Sequence, residues 1–343
     1  MPTYKIKIQS SGQEFDVKPS QTILEGAIES GITLPYGCQD GACGSCKGKI
    51  ISGKFFLNEY QSSALTDSDI CAGNTLYCKT MAQEDLVIEP NIPEVYDQYS
   101  LKVMPVKVES LTSLNHDVMQ MLLRLPAKES FKFRAGQYIE FIMNDGSRRA
   151  FSMANAPHES MIELHLRLIE GGKFTSFVFN EMKEKSIHRI EGPIGQFYLR
   201  DSDKPIIFIA GGTGFAPIKS IIEDMIFNKN NRKIYLYRGV RSKEDFYMND
   251  LVKDWMKKLK ALSYVPVVED GLLESARSGY VHHAVMEDFK KLNDVQIYCC
   301  GAPGLVENAF KDLTNNGLPE DQFFADAFTF APKKTKGLIY GLR

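Results

Sequence analysis

The chain has 343 residues, enough for two or three domains, and its 43% hydrophobic and 24% charged fractions are those of an ordinary globular protein. A formal net charge of -2 gives no footprint for nucleic acid or for an anionic membrane surface, so neither is expected as a partner. The opening MPTYKIKIQSSG lacks the apolar core of a signal peptide, and no run approaches the roughly 18 apolar residues of a membrane span, so a cytoplasmic protein is expected. Tyr4–Ile8 alternates apolar and charged residues, which predicts a half-buried strand, and Phe15–Val17 is a candidate partner. Thr22 and Glu25 have capping-box spacing, Ile23, Leu24, Ala27 and Ile28 follow at helical period, and Gly31 is placed as the C-cap. Short strands are expected at Gly48–Ser52, Leu76–Lys79 and Asp85–Glu89. Pro90–Tyr99, with two prolines and no period, reads as a linker.

From Lys102 to about Leu199 the pattern is mostly strands, at Val106–Leu111, Asp117–Leu125, Gln137–Met143 and Glu163–Leu168, which suggests a barrel or sandwich. One helix is expected at Lys173–Lys183. After Pro205 strands and helices alternate. The strands are Ile206–Ala210, Lys233–Tyr237, Tyr264–Val268, Gln296–Cys300 and Gln322–Phe328; the helices are Pro217–Phe227, Asp250–Leu259, Val281–Leu292 and Leu305–Asn315. This predicts a parallel sheet wrapped by helices, with ligands at the C-terminal strand ends. Lys333–Arg343 reads as an exposed basic tail.

The chemistry concentrates first in LPYGCQDGACGSCK, Leu34–Lys47. Cys38, Cys43 and Cys46 are spaced C-x4-C-x2-C, and Cys78 lies further on, the arrangement that holds a 2Fe–2S cluster. Glycines at 37, 41, 44 and 48 let such a loop turn its amides towards the cluster sulfurs. A four-cysteine zinc site is the rival, but it usually has paired C-x2-C knuckles and only one is present. Seven cysteines in a long chain without a leader do not suggest a disulfide framework. Cys71 falls outside the spacing and is expected as a small buried residue.

Two glycine turns open helices and so suit a pyrophosphate: Gly211-Gly212-Thr213-Gly214 before Pro217, and Gly172 before Thr175 and Ser176. The first departs from the Rossmann fingerprint, because the second strand ends in Arg238-Gly239-Val240-Arg241 rather than in an acid. Arg149, Phe151 and Ser152 would set a cation, a ring and a hydroxyl along one strand end, suited to a flavin, although an ordinary edge strand has the same look. Arg167 is a candidate for an FAD phosphate or simply a solvated strand residue. Cys299 is expected to pack on the face opposite Cys300. No histidine has metal-ligand spacing, and His282 and His283 read as surface or interface residues. Phe328 suits either a flavin shield or the core.

Together these motifs give a resemblance. Residues 102–330 resemble the ferredoxin–NADP reductase superfamily, and residues 3 to about 90 resemble a plant-type ferredoxin. The stretches that carry it are YGCQDGACGSCK, RAGQYIEFI, RRAFSMANAP, RIEGPIG, FIAGGTGFAPIKS, FYMNDL and FFADAF. The resemblance implies a multidomain chain: an α+β β-grasp ferredoxin over 1–92, a linker at 93–101, an antiparallel β-barrel flavin domain over 102–202, an α/β parallel-sheet nucleotide domain over 203–330, and a tail at 331–343. It implies that Arg149, Phe151, Ser152, Gly172 and Thr175 bind FAD, that Gly211–Gly214 and Pro217 bind the nicotinamide dinucleotide, and that Cys300 and Gly301 flank the nicotinamide. Ser152 and Cys300 are the implied catalytic positions, and Cys38, Cys43, Cys46 and Cys78 the iron ligands. The implied activity is an NAD(P)H-dependent reductase passing electrons through FAD and the cluster to a separate protein. The deoxysugar-biosynthesis branch, with a sugar dehydratase as acceptor, is the best overall match, and reductases of aromatic-ring oxygenases and monooxygenases share the layout. A carrier with an inactive nucleotide site is the non-enzyme alternative, against which the intact glycine loop argues. NADH is favoured over NADPH because Glu244 and Asp245 oppose a 2′-phosphate, although Arg238 and Arg241 lie nearby.

Overall fold

A computed structural model describes residues 3–32, 34–91, 101–127, 129, 131–271 and 273–328, in which three large sheets follow one another along the chain. The first unit contains β1 (Tyr4–Ile8), β2 (Glu14–Val17), α1 (Ile23–Glu29), β3 (Lys47–Ser52), β4 (Phe55–Leu57), α2 (Asp67–Cys71), β5 (Asn74–Leu76), β6 (Thr80–Ala82) and β7 (Leu86–Pro90). Its five-stranded sheet has the order β2-β1-β7-β3-β5, with only β1 and β7 parallel. The capping box forms: Thr22 Oγ1 accepts from the Glu25 amide at 3.2 Å, and Glu25 accepts from the Thr22 amide at 2.8 Å. The alternating apolar residues of β1, β2 and β7 face Ile23, Leu24 and Ala27 of this helix in one core.

The second unit contains β8 (Lys102–Ser113), β9 (Val118–Arg124), β10 (Tyr138–Ile142), β11 (Arg148–Ser152), β12 (Met161–Arg167), α3 (Lys173–Asn180) and β13 (Ile187–Ile194). Its strands are antiparallel in the order β11-β10-β13-β8-β9-β12, and an isolated bridge between Met153 and Leu164 joins the regions of the two edge strands. The third unit contains β14 (Ile206–Gly211), α4 (Phe215–Phe227), β15 (Ile234–Val240), α5 (Asn249–Lys258), β16 (Leu262–Val268), β17 (Arg277–Ser278), α6 (Val281–Asp288), β18 (Gln296–Gly301), α7 (Pro303–Asn315) and β19 (Phe323–Ala327). All six strands are parallel in the order β17-β16-β15-β14-β18-β19. The order reverses between β14 and β18, the topological switch point at which open α/β sheets bind ligands.

Several expectations shift. The strand expected at Leu76–Lys79 is two strands, with Tyr77–Lys79 in a turn between them closed by Lys79 N to Leu76 O at 2.8 Å. Central strand β13 escapes a pattern reading because Gly192-Pro193 resembles a turn. Helices α3 and α6 end at Asn180 and Asp288, short of Lys183 and Leu292. Cys71 is exposed, not buried, because α2 is a single turn that buries none of its residues. Arg238 is fully buried, stacked on Phe215 and Tyr247 at 4.0 and 4.5 Å from the ring centroids, so it does not reach outward to a 2′-phosphate. His282 is buried at 4% exposure, not a surface residue. Pro90, expected in the linker, ends β7; residues 92–100 of the linker and the whole basic tail lie outside the described residues. Among the described residues no helix is long and apolar enough to cross a membrane.

A buried polar network joins the second and third units. Lys219 of α4 donates to Glu163 of β12 at 3.0 Å, to Glu223 at 2.8 Å and to the Ala154 carbonyl at 3.1 Å. Glu163 also meets His165 at 2.9 Å and Gln120 at 2.8 Å, and His165 reaches the Tyr247 hydroxyl at 3.1 Å. Burial pushes Glu163 up, but His165 and Lys219 outweigh it and hold the carboxyl down to about 2. Lys219→Met leaves that carboxylate buried without its cation and is expected to destabilise the pair of units by about 3–5 kcal/mol. The loss should be largest above pH 5 and shrink as pH falls and the stranded carboxylates protonate. Trp255, the only tryptophan, is 2% exposed in α5 and reports the transition by fluorescence during urea unfolding.

Candidate functional site

The loop after α1 gathers the cysteines. The Cys46 and Cys78 sulfurs are 3.2 Å apart, Cys38 N donates to the Cys43 sulfur at 3.2 Å, and the amides of Asp40 and Ala42 donate to the Cys38 sulfur at 3.4 and 3.2 Å. All seven cysteines are free thiols. Hydrogen bonding from the Cys43 thiol, helped by these amides against burial, holds Cys38 down to about 6. Gly41 and Gly44 have φ of +72° and +71°, which lets the backbone fold over its own sulfurs. Four soft donors ringed by amides suit iron with bridging sulfide.

This loop sits against both other units. Gln196 donates to the Ser45 carbonyl at 3.2 Å and Gln39 to Glu140 at 3.4 Å. Ser63 donates to Glu307 at 3.3 Å and Ser68 to Glu320 at 3.0 Å. Tyr138 and Ile194 join the core of the first unit, and Ala42 joins the core of the third.

At the same junction Ser152 ends β11, and its hydroxyl donates to Asp326 Oδ2 at 3.4 Å. Cys300 lies opposite Asp326 in the β18–β19 pairing, with its sulfur 4.0 Å from the same oxygen. Burial, and next the charge of Cys38, push the Asp326 carboxyl up to about 7, against the hydrogen bond from Ser152. Burial and Asp326 also push the Cys300 thiol well up, which disfavours a nucleophilic role. Cys299 packs in a different core cluster from Cys300, on the other face. Asp326 was missed in the sequence; the available signal was an acid inside the apolar last strand FFADAF. Tyr138, paired with Ser152 across β10–β11, has a buried hydroxyl with no protein partner, consistent with a group binding beside it.

The phosphate candidates are distributed around this junction. The glycine loop leaves β14 through a short 3-10 turn at Gly212–Gly214 into α4, which contains Pro217. A Cβ on Gly214 would lie 2.1 Å from the Cys300 carbonyl, so glycine is what lets the ends of β14 and β18 meet. Gly301 follows at φ +154° against Gly211. Gly172 caps α3, while the Thr175 hydroxyl is engaged locally, donating to Gly172 O at 3.3 Å and accepting from Ile169 N at 3.1 Å. Ser176 follows on the first turn of that helix. Arg149 is half-buried and donates to the Arg148 carbonyl at 2.7 Å, and Phe151 leans on Phe141 and Phe174. Arg167 is paired with Asp117 at 2.6 Å, and its guanidinium comes within 3.2 Å of the Cβ position on Gly212. It therefore stands beside the Gly211–Gly214 loop of the third unit.

Three family comparisons match in the same order: the 2Fe-2S iron-sulfur cluster binding domain over 6–83, the oxidoreductase FAD-binding domain over 105–198 and the oxidoreductase NAD-binding domain over 208–311. The CDP-6-deoxy-L-threo-D-glycero-4-hexulose-3-dehydrase reductase of Yersinia pestis is 38% identical over 94% of this chain and 98% of its own length. The chain belongs to the iron–sulfur flavoprotein reductases. Reductase component 1 of terephthalate 1,2-dioxygenase from a Comamonas species is 35% identical over 96% of this chain and 98% of its own. Among solved structures, the Amycolatopsis cytochrome P450 reductase superposes with a TM-score of 0.75 at 26% identity, covering 95% of this chain and 99% of that one. The reductase is thus an oxidoreductase with 2Fe–2S, FAD and NAD domains.

Above pH 7 the Asp326 carboxylate accepts a hydrogen bond from the Ser152 hydroxyl, and this bond weakens as the acid protonates below pH 7. Flavin reduction by NADH, followed by stopped flow, should be faster below pH 7 and fall through it. Asp326→Asn should flatten the profile while leaving the visible spectrum of the cluster unchanged. A wild-type profile in the variant would count against this role.

Proposed function

We propose that the reductase carries electrons from NADH to a pyridoxamine-phosphate-dependent dehydratase of a CDP-6-deoxyhexulose in dideoxysugar biosynthesis. FAD, when bound, accepts two electrons as hydride and releases them singly, which a 2Fe–2S cluster requires. The 38% identity to the dehydrase reductase across 98% of its length carries the reading of the acceptor. Delivery to a ring-hydroxylating oxygenase is the second reading, favoured by the 35% identity to the terephthalate dioxygenase component.

The chain's own residues divide the work. Cys38, Cys43, Cys46 and Cys78 hold the iron. Arg149, Phe151, Gly172, Thr175 and Ser176 hold FAD, and Ser152 hydrogen-bonds its reactive edge. Gly211, Gly212, Thr213, Gly214 and Pro217 hold the dinucleotide pyrophosphate, helped by Arg167, and Cys300 and Gly301 position the nicotinamide. The first unit, over 1–92, is read as β-grasp, the second, over 102–202, as a closed barrel, and the third as residues 203–330. The site of action is read as the cytoplasm. Burial of Arg238 and the acids Glu244 and Asp245 support NADH as the donor.

The purified reductase should support NADH-dependent 3-deoxygenation by such a dehydratase; support of an oxygenase alone would favour the second reading. Cys78→Ser should abolish cytochrome c reduction but retain direct reduction of ferricyanide. Ser152→Ala should slow flavin reduction by roughly tenfold, the worth of one hydrogen bond. NADH should exceed NADPH in kcat/KM by roughly tenfold or more, about 1.4 kcal/mol.

A further inference from the structure

On the helical layer of the NAD domain, two histidines and a carboxylate converge in a way that electron transfer does not use. His282 and His283 open α6, and Asp312 projects from α7. The Nε2 atoms of His282 and His283 lie 3.2 and 3.7 Å from the same oxygen, Asp312 Oδ2. All three donor atoms fall within 4.8 Å of one another. Adjacent helix residues point about 100° apart, so they rarely share a ligand. Here the carboxylate comes from the neighbouring helix and sits between them.

We propose that His282, His283 and Asp312 form a divalent transition-metal site that clamps α6 to α7. Donors bound at about 2.0–2.2 Å from one ion stand roughly 3.0–3.7 Å apart, close to the spacing already present. A small turn of the exposed His283 ring completes the set. Hydrogen bonding alone does not account for the convergence, because 3.7 Å is beyond the reach of a second N–H. His282 is pre-set: its side chain is 5% exposed and its ring stacks on Tyr280 at 5.9 Å and 22°. His283 and Asp312, at 50% and 36% exposure, leave a route for the ion and room for water as further ligands.

Two imidazoles and one carboxylate select borderline ions such as Zn²⁺, Ni²⁺, Co²⁺ or Cu²⁺ over Mg²⁺ or Ca²⁺, which require more oxygen. Nδ1 of His282 is buried without a partner, so no acceptor supports the ring from behind. Affinity should therefore be roughly 10- to 100-fold below that of a fully supported site. The other such cluster among the described residues, His116, Asp117 and Asp245, is a weaker candidate because Arg167 already occupies Asp117 at 2.6 Å. Of the helices concerned, α7 packs against β18, which carries Cys300, and α6 against β14 and β15, so an ion there would stiffen the domain without touching the cofactors.

The test uses tag-free reductase with FAD and cluster in place, dialysed against Zn²⁺ with metal analysis. Visible absorbance is followed to show that the cluster is retained. One Zn²⁺ per chain beyond the iron is expected. His283→Ala and Asp312→Asn should each weaken binding by roughly tenfold or more, since a lost ligand costs at least as much as a lost supporting contact. NADH–ferricyanide activity of both variants should equal wild type, which checks that they fold. Cu²⁺ substituted in the oxidised protein should show nitrogen splittings in its EPR spectrum that diminish in His283→Ala. No saturable binding below about 1 mM would overturn the site. So would undiminished binding in either variant.

Discussion

A lysine ammonium inside the protein anchors the arrangement of the catalytic units. Lys219 is 4% exposed, and desolvating it would be prohibitive without the two carboxylates and the carbonyl around it. Those partners come from two units, so the charge is satisfied only when the NAD domain is seated on the FAD domain. Ser220, the next residue, adds a hydrogen bond to the Asn155 carbonyl at 2.6 Å. Such a contact is directional, unlike apolar packing, and it fixes the angle at which α4 and the glycine loop meet the flavin strand.

That angle matters because the groups that must cooperate are on different units. Ser152 ends a strand of the FAD domain, and Cys300 and Asp326 end neighbouring strands of the NAD domain. The Cys38 loop of the ferredoxin domain is close enough to raise the Asp326 carboxyl. A nicotinamide gives two electrons together and a 2Fe–2S cluster accepts one, a mismatch that a flavin can bridge. The ferredoxin domain is seated by hydrogen bonds involving Gln39, Ser63, Ser68 and Gln196, and by Tyr138 and Ile194 packing into its core.

Much of this was legible in the residues because the relevant physics is local. Cysteine spacing, a capping box and a glycine turn at a strand end act over a few residues, and each formed where its pattern lay. What escaped was set by distant neighbours. Strand β13 carries Gly192-Pro193 near its end, tolerated because its register with β10 shifts there. Arg238 read as an outward cation, yet Phe215 and Tyr247 enclose it. Cys71 read as buried, yet its helix is too short to face a core. His282 and His283 read as surface or interface residues, and only the position of α7 brings Asp312 between them.

The sequence alone determined the order of the units, the cysteine spacing and glycine turns, and the class of chemistry, because motif spacing follows directly from covalent reach and backbone geometry. Only the tertiary structure decided that Asp326 joins Ser152 and Cys300, that Arg167 stands by the Gly211–Gly214 loop, and that Lys219 locks two domains together. Those relations link residues far apart in the chain, and their energies arise from burial and charge pairing that exist only once the sheets have packed.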